Sequence, residues 1–109
     1  MNHTELNNIV KRRLDEVYNR FRKKNEAYSG GDDALNAIKR AGAILNKPVE
    51  DALMGMVSKH LVSVIDLAND MVAGRLPTVD LLAEKTGDII VYMTLLEAIL
   101  IEKISQKNG

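Results

Sequence analysis

Apolar residues recur every three or four positions along most of the chain, and no segment alternates apolar and polar residues as a half-buried strand would. This period predicts amphipathic helices, and glycine and proline mark the turns between them. The three predicted breaks are Ser29-Gly30-Gly31, Asn46-Lys47-Pro48 and Gly74-Arg75-Leu76-Pro77, with Thr78 as the N-cap that follows the last. The predicted helices span residues 4–27, 32–45, 48–73 and 78–104.

The fourth predicted helix is apolar on nearly every side after Asp88. A helix without a polar face is central in its own bundle or is covered by another subunit. Because the chain has only three further helices to cover it, the second arrangement is attractive. The sequence therefore predicts an all-α protein, a single domain over residues 1–109 that folds as an antiparallel four-helix bundle and forms a dimer or a higher homo-oligomer.

Composition limits the classes of function. The 109 residues are 46% apolar and 28% charged, which suits one soluble domain. The chain has no cysteine for a disulfide, a thiol nucleophile or a cysteine-ligated zinc site. The N-terminal segment lacks a signal-peptide pattern, and the longest charge-free run, residues 89–96, is too short to span a bilayer. We expect a soluble, intracellular protein without a membrane partner.

Charge does not favour a nucleic-acid partner. The 15 basic residues balance the 15 acidic ones, and aromatic residues make up only 4%. Basic residues are concentrated at positions 11–13 and 20–24. A solvated helix face is the ordinary explanation for them, and bases beside an acidic metal site would equally suit the oxygens of a triphosphate.

Two carboxylates, Glu84 and Asp88, lie four residues apart on the apolar stripe of the fourth predicted helix. Carboxylates are rarely buried unless they are paired, hydrogen-bonded or bound to a metal. The functional interpretation is a divalent-cation site, Mg²⁺ above all, because Mg²⁺ prefers carboxylate oxygens and bridges to substrate phosphates. The alternative is an acid in the first helical turns together with an internal ion pair to a lysine or an arginine.

Further candidate side chains lie on the third predicted helix and in the first predicted loop. Lys59 and His60, with Asp66 further along, would contact a phosphate or a base opposite the acidic pair. The alternatives are a satisfied core histidine and a solvated polar stripe. Tyr28 would stack on a base at the end of the bundle, and ordinary capping chemistry is the alternative for the glycine-rich and aspartate-rich turn that contains it.

Three motifs follow one another along the chain: KNEAYSGGDDAL at 24–35, ALMGMVSKHLVSVID at 52–66 and EKTGDIIVY at 84–92. Together, over about residues 20–103, they resemble the phage-encoded proteins of the MazG-like, all-α nucleoside triphosphate pyrophosphohydrolase superfamily. The resemblance implies hydrolysis of a (d)NTP to a (d)NMP and pyrophosphate with Mg²⁺, in the cytoplasm of a bacterial host. It implies that Glu84 and Asp88 are catalytic and hold the metal, with Asp66 as a further ligand, and that Tyr92 lies at the substrate.

The chain departs from the family pattern in two places. Lys85 stands where the final motif of the family has an inner acid, and the preceding helix lacks the Glu-x-x-Glu pair of active members. Three functions stay open. They are a Mg²⁺-dependent pyrophosphohydrolase in which Lys59 contacts phosphate, a non-catalytic protein of the same fold that binds a nucleotide or a nucleotide-derived signal, and a helical protein that docks on another protein. The last predicts a lysine-paired Glu84 and no pocket near Asp88.

Overall fold

The computed structural model describes residues 1–27 and 33–108. Both ranges are helical and contain no strand, which confirms the predicted all-α class. The second helix begins four residues later than predicted, and the last continues four residues further, to Asn108. The helices of the described ranges are α1 (His3–Ala27), α2 (Asn36–Ile44), α3 (Val49–Val72) and α4 (Val79–Asn108).

The helix ends follow from local sequence. Asn2 Oδ1 accepts a hydrogen bond from the N–H of Glu5 at 2.8 Å, and the Glu5 carboxylate accepts one from the N–H of Asn2 at 3.2 Å, which is a reciprocal capping box for α1. Thr78 Oγ1 accepts a hydrogen bond from the N–H of Leu81 at 3.1 Å, so the predicted N-cap of α4 is confirmed. After α3, Gly74 turns the chain with a φ of 87°, a conformation that glycine adopts without strain.

α3 and α4 form an antiparallel pair that carries the core. Lys103 Nζ of α4 donates a hydrogen bond to Glu50 Oε1 at the start of α3 over 2.6 Å, and His60 faces Asp88 further along the pair. The period of apolar residues in each helix turns one side toward the other. The buried apolar side chains of the described residues are all on these two helices: Leu53, Val57, Val91, Leu96 and Ile99.

α2 closes one end of this pair. Ile38 of α2 packs against the cluster of Leu53, Leu96 and Ile99, and so does Leu35, the residue that precedes the helix. Gly42 is buried where α2 meets the start of α3. A Cβ on Gly42 would lie 3.2 Å from the Lys47 carbonyl oxygen and from the nearest Val49 methyl group, so alanine would require these atoms to shift by a few tenths of an ångström.

α1 runs in the same direction as α4. Arg12 donates a hydrogen bond to Asp80 over 3.2 Å, and Arg20 donates one to Asp88. A step of eight residues along α1 therefore matches a step of eight residues in the same direction along α4. The predicted antiparallel arrangement is therefore wrong for this pair of helices, whereas α3 and α4 are antiparallel. The reason is that α2, with nine residues, is too short to return the chain along the length of α1, so that α3 takes the returning direction.

Among the described residues, α1 packs against α4 and against no other helix. Many apolar side chains stay exposed as a result. Leu6, Ile9 and Val10 near the start of α1 are each about half exposed, and so is much of the outer side of α4. In the two described ranges, no helix is both long enough and apolar enough to cross a membrane.

Candidate functional site

Asp88 lies in the first third of α4, where α1 and α3 both approach it. Arg20 Nη1 of α1 donates a hydrogen bond to Asp88 Oδ1 over 2.9 Å. The two side chains are only 32% and 26% exposed, so water screens their attraction less than it screens an ordinary surface pair. An internal ion pair with an arginine is one of the two interpretations that the sequence left open for the acidic residues.

Two ring side chains complete the surroundings of Asp88. His60 Nδ1 of α3 lies 3.6 Å from Asp88 Oδ2, which is within ion-pair distance but too long for a hydrogen bond. The His60 ring stacks on Tyr92, one turn after Asp88 on α4, with ring centroids 5.0 Å apart and 17° between the planes. We call Arg20, His60, Asp88 and Tyr92 the Asp88 cluster.

One polar atom of the cluster lacks a partner. His60 Nε2 is buried and forms no hydrogen bond with any of the described residues. Leaving a buried donor or acceptor unpaired costs about 1–3 kcal/mol. A water molecule or a ligand that reached Nε2 would recover that free energy, so this atom is a natural point of contact for a bound molecule.

A second arginine packs beside the cluster. Arg13 Nη2 donates a hydrogen bond to the carbonyl oxygen of Ala83 at 2.8 Å, and its Nη1 donates to Glu16 at 3.2 Å. Gly87 makes room for this arrangement. A Cβ there would overlap Arg13 Nη1 and would lie 3.2 and 3.3 Å from the two terminal nitrogens of Arg20. The guanidinium groups thus lie directly on the backbone surface of α4.

Sequence reasoning missed Arg13, Arg20 and Gly87. The sequence pattern alone predicts a solvated face, or ligands for a triphosphate, from the basic residues of α1. The usable signal was that Arg13 and Arg20 are seven residues apart, on one face of a helix, while Gly87 interrupts the apolar surface of α4.

Glu84 is exposed and forms no ion pair or hydrogen bond among the described residues. The expectation that it is turned inward with Asp88 is wrong. The physical reason is that the α1 arginines at this level donate to Asp80 and to the Ala83 carbonyl oxygen, and no described side chain of α3 donates to Glu84. Glu84 and Asp88 are four residues apart, so both carboxylates lie on neighbouring parts of one helix face. The catalytic and metal-binding roles of Glu84 stay predictions.

The remaining predicted residues lie further from the cluster or outside the described ranges. Lys59 and Asp66 are exposed on α3, and neither forms an ion pair with another described residue. Tyr28 lies outside the described residues. The structure therefore brings together Asp88, His60 and Tyr92 from the predicted set, and it adds Arg20.

The described residues do not fit a resident Mg²⁺ site of several carboxylates. No three His, Asp or Glu side chains within residues 1–27 and 33–108 form a group that could hold a metal ion. Glu84, Asp88 and Asp66 are therefore not gathered into the predicted ligand set. Mg²⁺ that is held chiefly by substrate phosphates needs only one or two protein carboxylates. Asp88 and Glu84, one helical turn apart on α4, are carboxylates of this kind.

A shallow pocket of about 240 Å³ adjoins Arg20 and is lined by Glu16, Asn19, Arg20 and Lys23 of α1. Arg12 donates a hydrogen bond to Glu16 over 2.9 Å and lowers the pKa of that carboxyl group below its usual value, so Glu16 is ionised at neutral pH. Lys23 is exposed at the same pocket. Arg20 and Lys23 give the pocket two bases that an anionic group can reach.

Comparison of the chain with family models, with curated proteins and with solved structures gives no match. The likeness to the MazG-like proteins therefore stays a prediction that depends on the three sequence motifs. The function has to be inferred from the side chains of the site itself.

Proposed function

We propose that the protein binds the Mg²⁺ complex of a nucleoside triphosphate at the Asp88 cluster and hydrolyses it, in the manner of a MazG-like pyrophosphohydrolase, to a nucleoside monophosphate and pyrophosphate. The observation that supports this proposal most is the shielded pair of opposite charges, Arg20 and Asp88, 2.9 Å apart. A Mg²⁺–triphosphate complex carries both kinds of charge. Asp88 can exchange Arg20 for the Mg²⁺ of the ligand, and Arg20 can exchange Asp88 for its phosphate oxygens.

This exchange keeps the half-buried charges paired. Removing one partner of a shielded ion pair is costly because the other charge is left uncompensated. A ligand that brings a cation to Asp88 and phosphate oxygens to Arg20 avoids that cost. The planar guanidinium group of Arg20 matches a phosphate with two parallel hydrogen bonds, and Lys23 in the adjoining pocket adds a second positive charge.

The carboxylates have distinct places in the proposal. Asp88 is the acid of the cluster, and the exposed Glu84 lies one helical turn before it, with its oxygens accessible to a ligand. In the reaction, a water oxygen bonds to the α-phosphorus as the bond to the oxygen that bridges the α- and β-phosphorus breaks. That oxygen leaves with pyrophosphate, and the water proton passes to solvent. The Mg²⁺ of the substrate neutralises charge on the phosphates.

Thermal unfolding with a panel of (d)NTPs, with and without Mg²⁺, tests binding. A ligand at about ten times its Kd adds roughly 1.4 kcal/mol to the free energy of unfolding, which raises Tm by several degrees in a chain of this length. We expect this increase for the natural sequence with Mg²⁺. Each variant is compared with its own ligand-free Tm, so that a change in stability is not mistaken for a change in binding.

Three carboxylate variants make the test specific. Glu84→Gln should keep the ligand-free Tm, because Glu84 is exposed and forms no ion pair among the described residues, and should lose most of the ligand-induced increase. Asp88→Asn should lower both quantities. Asp66→Asn is the matched control on α3 and should retain the full increase.

Product analysis separates the enzyme from a binding protein. Pyrophosphate and monophosphate that form with the natural sequence, and not with Asp88→Asn, support hydrolysis. A ligand-induced increase in Tm without product would assign the protein to the non-catalytic nucleotide-binding alternative. If no nucleotide changes Tm and none is hydrolysed, both proposals fail.

A helical interaction protein is the second candidate function, and the observation that favours it is the exposed apolar surface of α4. Ile101 and Ile104 are more than half exposed in this single chain. Packing against another helical surface would remove them from water. A homodimer meets this requirement, and we propose it for the nucleotide-binding protein as well.

A further inference from the structure

The carboxylate of Glu16 lies among basic side chains on one face of α1. Arg12 and Arg13 come one helical turn before it, and Arg20 and Lys23 come one and two turns after it. Arg12 Nε donates a hydrogen bond to Glu16 Oε1 over 2.9 Å, and Arg13 Nη1 donates one to Oε2 over 3.2 Å. An ordinary ion pair within a helix joins one base to one acid, whereas this carboxylate is shared by the bases around it.

The pocket beside Arg20 opens onto the same carboxylate. Glu16, Asn19, Arg20 and Lys23 line its volume of about 240 Å³. An anionic group in the pocket would contact the positive charges of Arg20 and Lys23 and the amide donor of Asn19. Glu16 therefore lies at the edge of a site whose other charges are positive.

The guanidinium groups of Arg13 and Arg20 converge at Gly87. A Cβ on Gly87 would overlap Arg13 Nη1 and would lie 3.2 Å from Arg20 Nη2, so both groups lie against the same point of α4. Like charges this close repel each other, and a shared anion offsets the repulsion. The hydrogen bond from Arg12 is the main cause that lowers the pKa of Glu16, and the charges of Arg13 and Arg20 lower it further. The Glu16 carboxylate thus serves all three arginines.

Each of these arginines also has a contact with α4 that does not involve Glu16. The acceptors on α4, in the order of the arginines along α1, are Asp80 Oδ1, the Ala83 carbonyl oxygen and Asp88 Oδ1. The nitrogens that face Glu16 are therefore already in place for another anion, and donors held in this way lose little side-chain entropy on binding. Glu16, with a side chain that is 36% exposed, can turn toward water at little cost.

We propose that the Glu16 carboxylate fills an oxyanion subsite, and that the terminal phosphate of a triphosphate displaces it from the arginines. Guanidinium groups bind carboxylate and phosphate oxygens with the same paired hydrogen bonds, and a terminal phosphate carries about two negative charges. Glu16 is then an internal competitor that weakens phosphate binding. The inference rests on the proposed function for the nucleotide, whereas the subsite itself requires neither Mg²⁺ nor hydrolysis.

Glu16→Gln tests the subsite in the full chain, with inorganic triphosphate as the probe and without Mg²⁺. We expect this variant to bind the probe about tenfold more tightly than the natural sequence does, because the competing charge is gone. Isothermal titration calorimetry at low ionic strength measures the two Kd values, since salt screens such charges. Failure of the probe to bind either protein, or binding by Glu16→Gln that is no tighter, would overturn the subsite.

Asp15→Asn is the matched control for this substitution. It removes the same charge from the neighbouring position, and Asp15 is exposed and forms no ion pair with another described residue. Its Kd for inorganic triphosphate should stay within about twofold of that of the natural sequence, because surface charges outside the subsite are screened. Equal gains for Asp15→Asn and Glu16→Gln would mean that net charge alone matters, and the subsite would be wrong.

Removal of the arginines should have the opposite effect. We expect Arg12→Met and Arg13→Met each to weaken the binding of inorganic triphosphate about tenfold, because each removes charged donors from the subsite. Lys11→Met is the matched control, since Lys11 is an exposed base next to them in the chain. Binding by both arginine variants that equals binding by Lys11→Met would overturn the subsite.

A (d)NTP in place of inorganic triphosphate distinguishes the two sources of the phosphate chain. We expect Glu16→Gln to bind both anions more tightly, because the subsite contacts phosphate oxygens alone. A gain with inorganic triphosphate alone would identify an inorganic polyphosphate as the ligand and contradict the nucleotide. If the natural sequence hydrolyses a (d)NTP but Glu16→Gln changes the Kd of neither anion, the proposed function stands and the subsite is wrong. A gain for both anions without hydrolysis supports the subsite and removes only the reaction.

Discussion

Arg20 Nη1 lies 2.9 Å from Asp88 Oδ1, and this hydrogen bond joins the first helix to the last across 68 positions of the chain. It is one of a row of polar contacts between α1 and α4, since Arg12 donates to Asp80 and Arg13 donates to the backbone of α4. Because α1 packs against α4 alone among the described helices, these arginines fix the direction and register of α1.

The contribution of this pair to stability can be measured with a double-mutant cycle. We expect Arg20→Met and Asp88→Asn each to lower the free energy of unfolding by about 1–3 kcal/mol, because each leaves a half-buried polar group without its partner. The double variant should lose less than the sum, by about 1 kcal/mol, since the partners share one interaction. Urea unfolding of the four proteins gives these values.

Arg22→Met is the matched control for this cycle, because Arg22 is exposed on the same helix. Its effect on the free energy of unfolding should stay within about 0.5 kcal/mol, as for most surface substitutions. Strictly additive effects of Arg20→Met and Asp88→Asn would mean that the ion pair contributes nothing to the position of α1.

The helices could be predicted from sequence because their signals are local. The period of apolar residues, the Thr78 hydroxyl and Gly74 each act within a few residues, and the structure has helices and turns at these places. The direction of α1 could not be predicted in this way. It depends on the length of α2 and on contacts between Arg20 and Asp88, which are far apart in the chain.

The same distinction explains the outcome for the acidic pair. Spacing alone correctly places Glu84 and Asp88 on neighbouring parts of one helix face. Whether each is covered depends on where α1 and α3 pack, and a periodic pattern within α4 contains no information about that. Asp88 meets Arg20 and is half-buried, whereas Glu84 stays exposed. The sequence predicts an internal ion pair as one alternative, but it does not identify Arg20 as the partner.

Gly87 provides a test of the close contact between α1 and α4. Alanine is favoured over glycine inside a helix by about 1 kcal/mol, but a Cβ at this position would overlap Arg13 Nη1. Arg13 would have to move and would lose its hydrogen bond to the Ala83 carbonyl oxygen. Because Nη1 is the far end of a flexible side chain, this loss and the gain in helix propensity offset each other. We expect Gly87→Ala to change the free energy of unfolding by less than about 0.5 kcal/mol, measured by urea unfolding, and to raise it by about 0.5–1 kcal/mol in an Arg13→Met background.

Gly55 is the matched control for this substitution. It lies inside α3, and a Cβ there would have no neighbour within 4 Å. Gly55→Ala should therefore raise the free energy of unfolding by about 0.5–1 kcal/mol, as helix propensity alone dictates. Equal stabilisation by Gly55→Ala and Gly87→Ala would show that the arginines do not lie against α4.

The hydrogen bond from Lys103 Nζ to Glu50 Oε1, 2.6 Å long, should make stability depend on pH. The Lys103 ammonium group is the main cause that lowers the pKa of Glu50 below its usual value of 4.5. A carboxyl group with a lowered pKa in the folded state contributes stability above its unfolded pKa, and that contribution is lost as pH falls through the folded value.

We therefore expect the free energy of unfolding to fall as pH decreases below about 4.5, and Glu50→Gln to make this fall shallower. The free energy of unfolding is measured by urea unfolding between about pH 6 and about pH 3. Parallel pH profiles for the natural sequence and Glu50→Gln would contradict a stabilising link between the start of α3 and the end of α4.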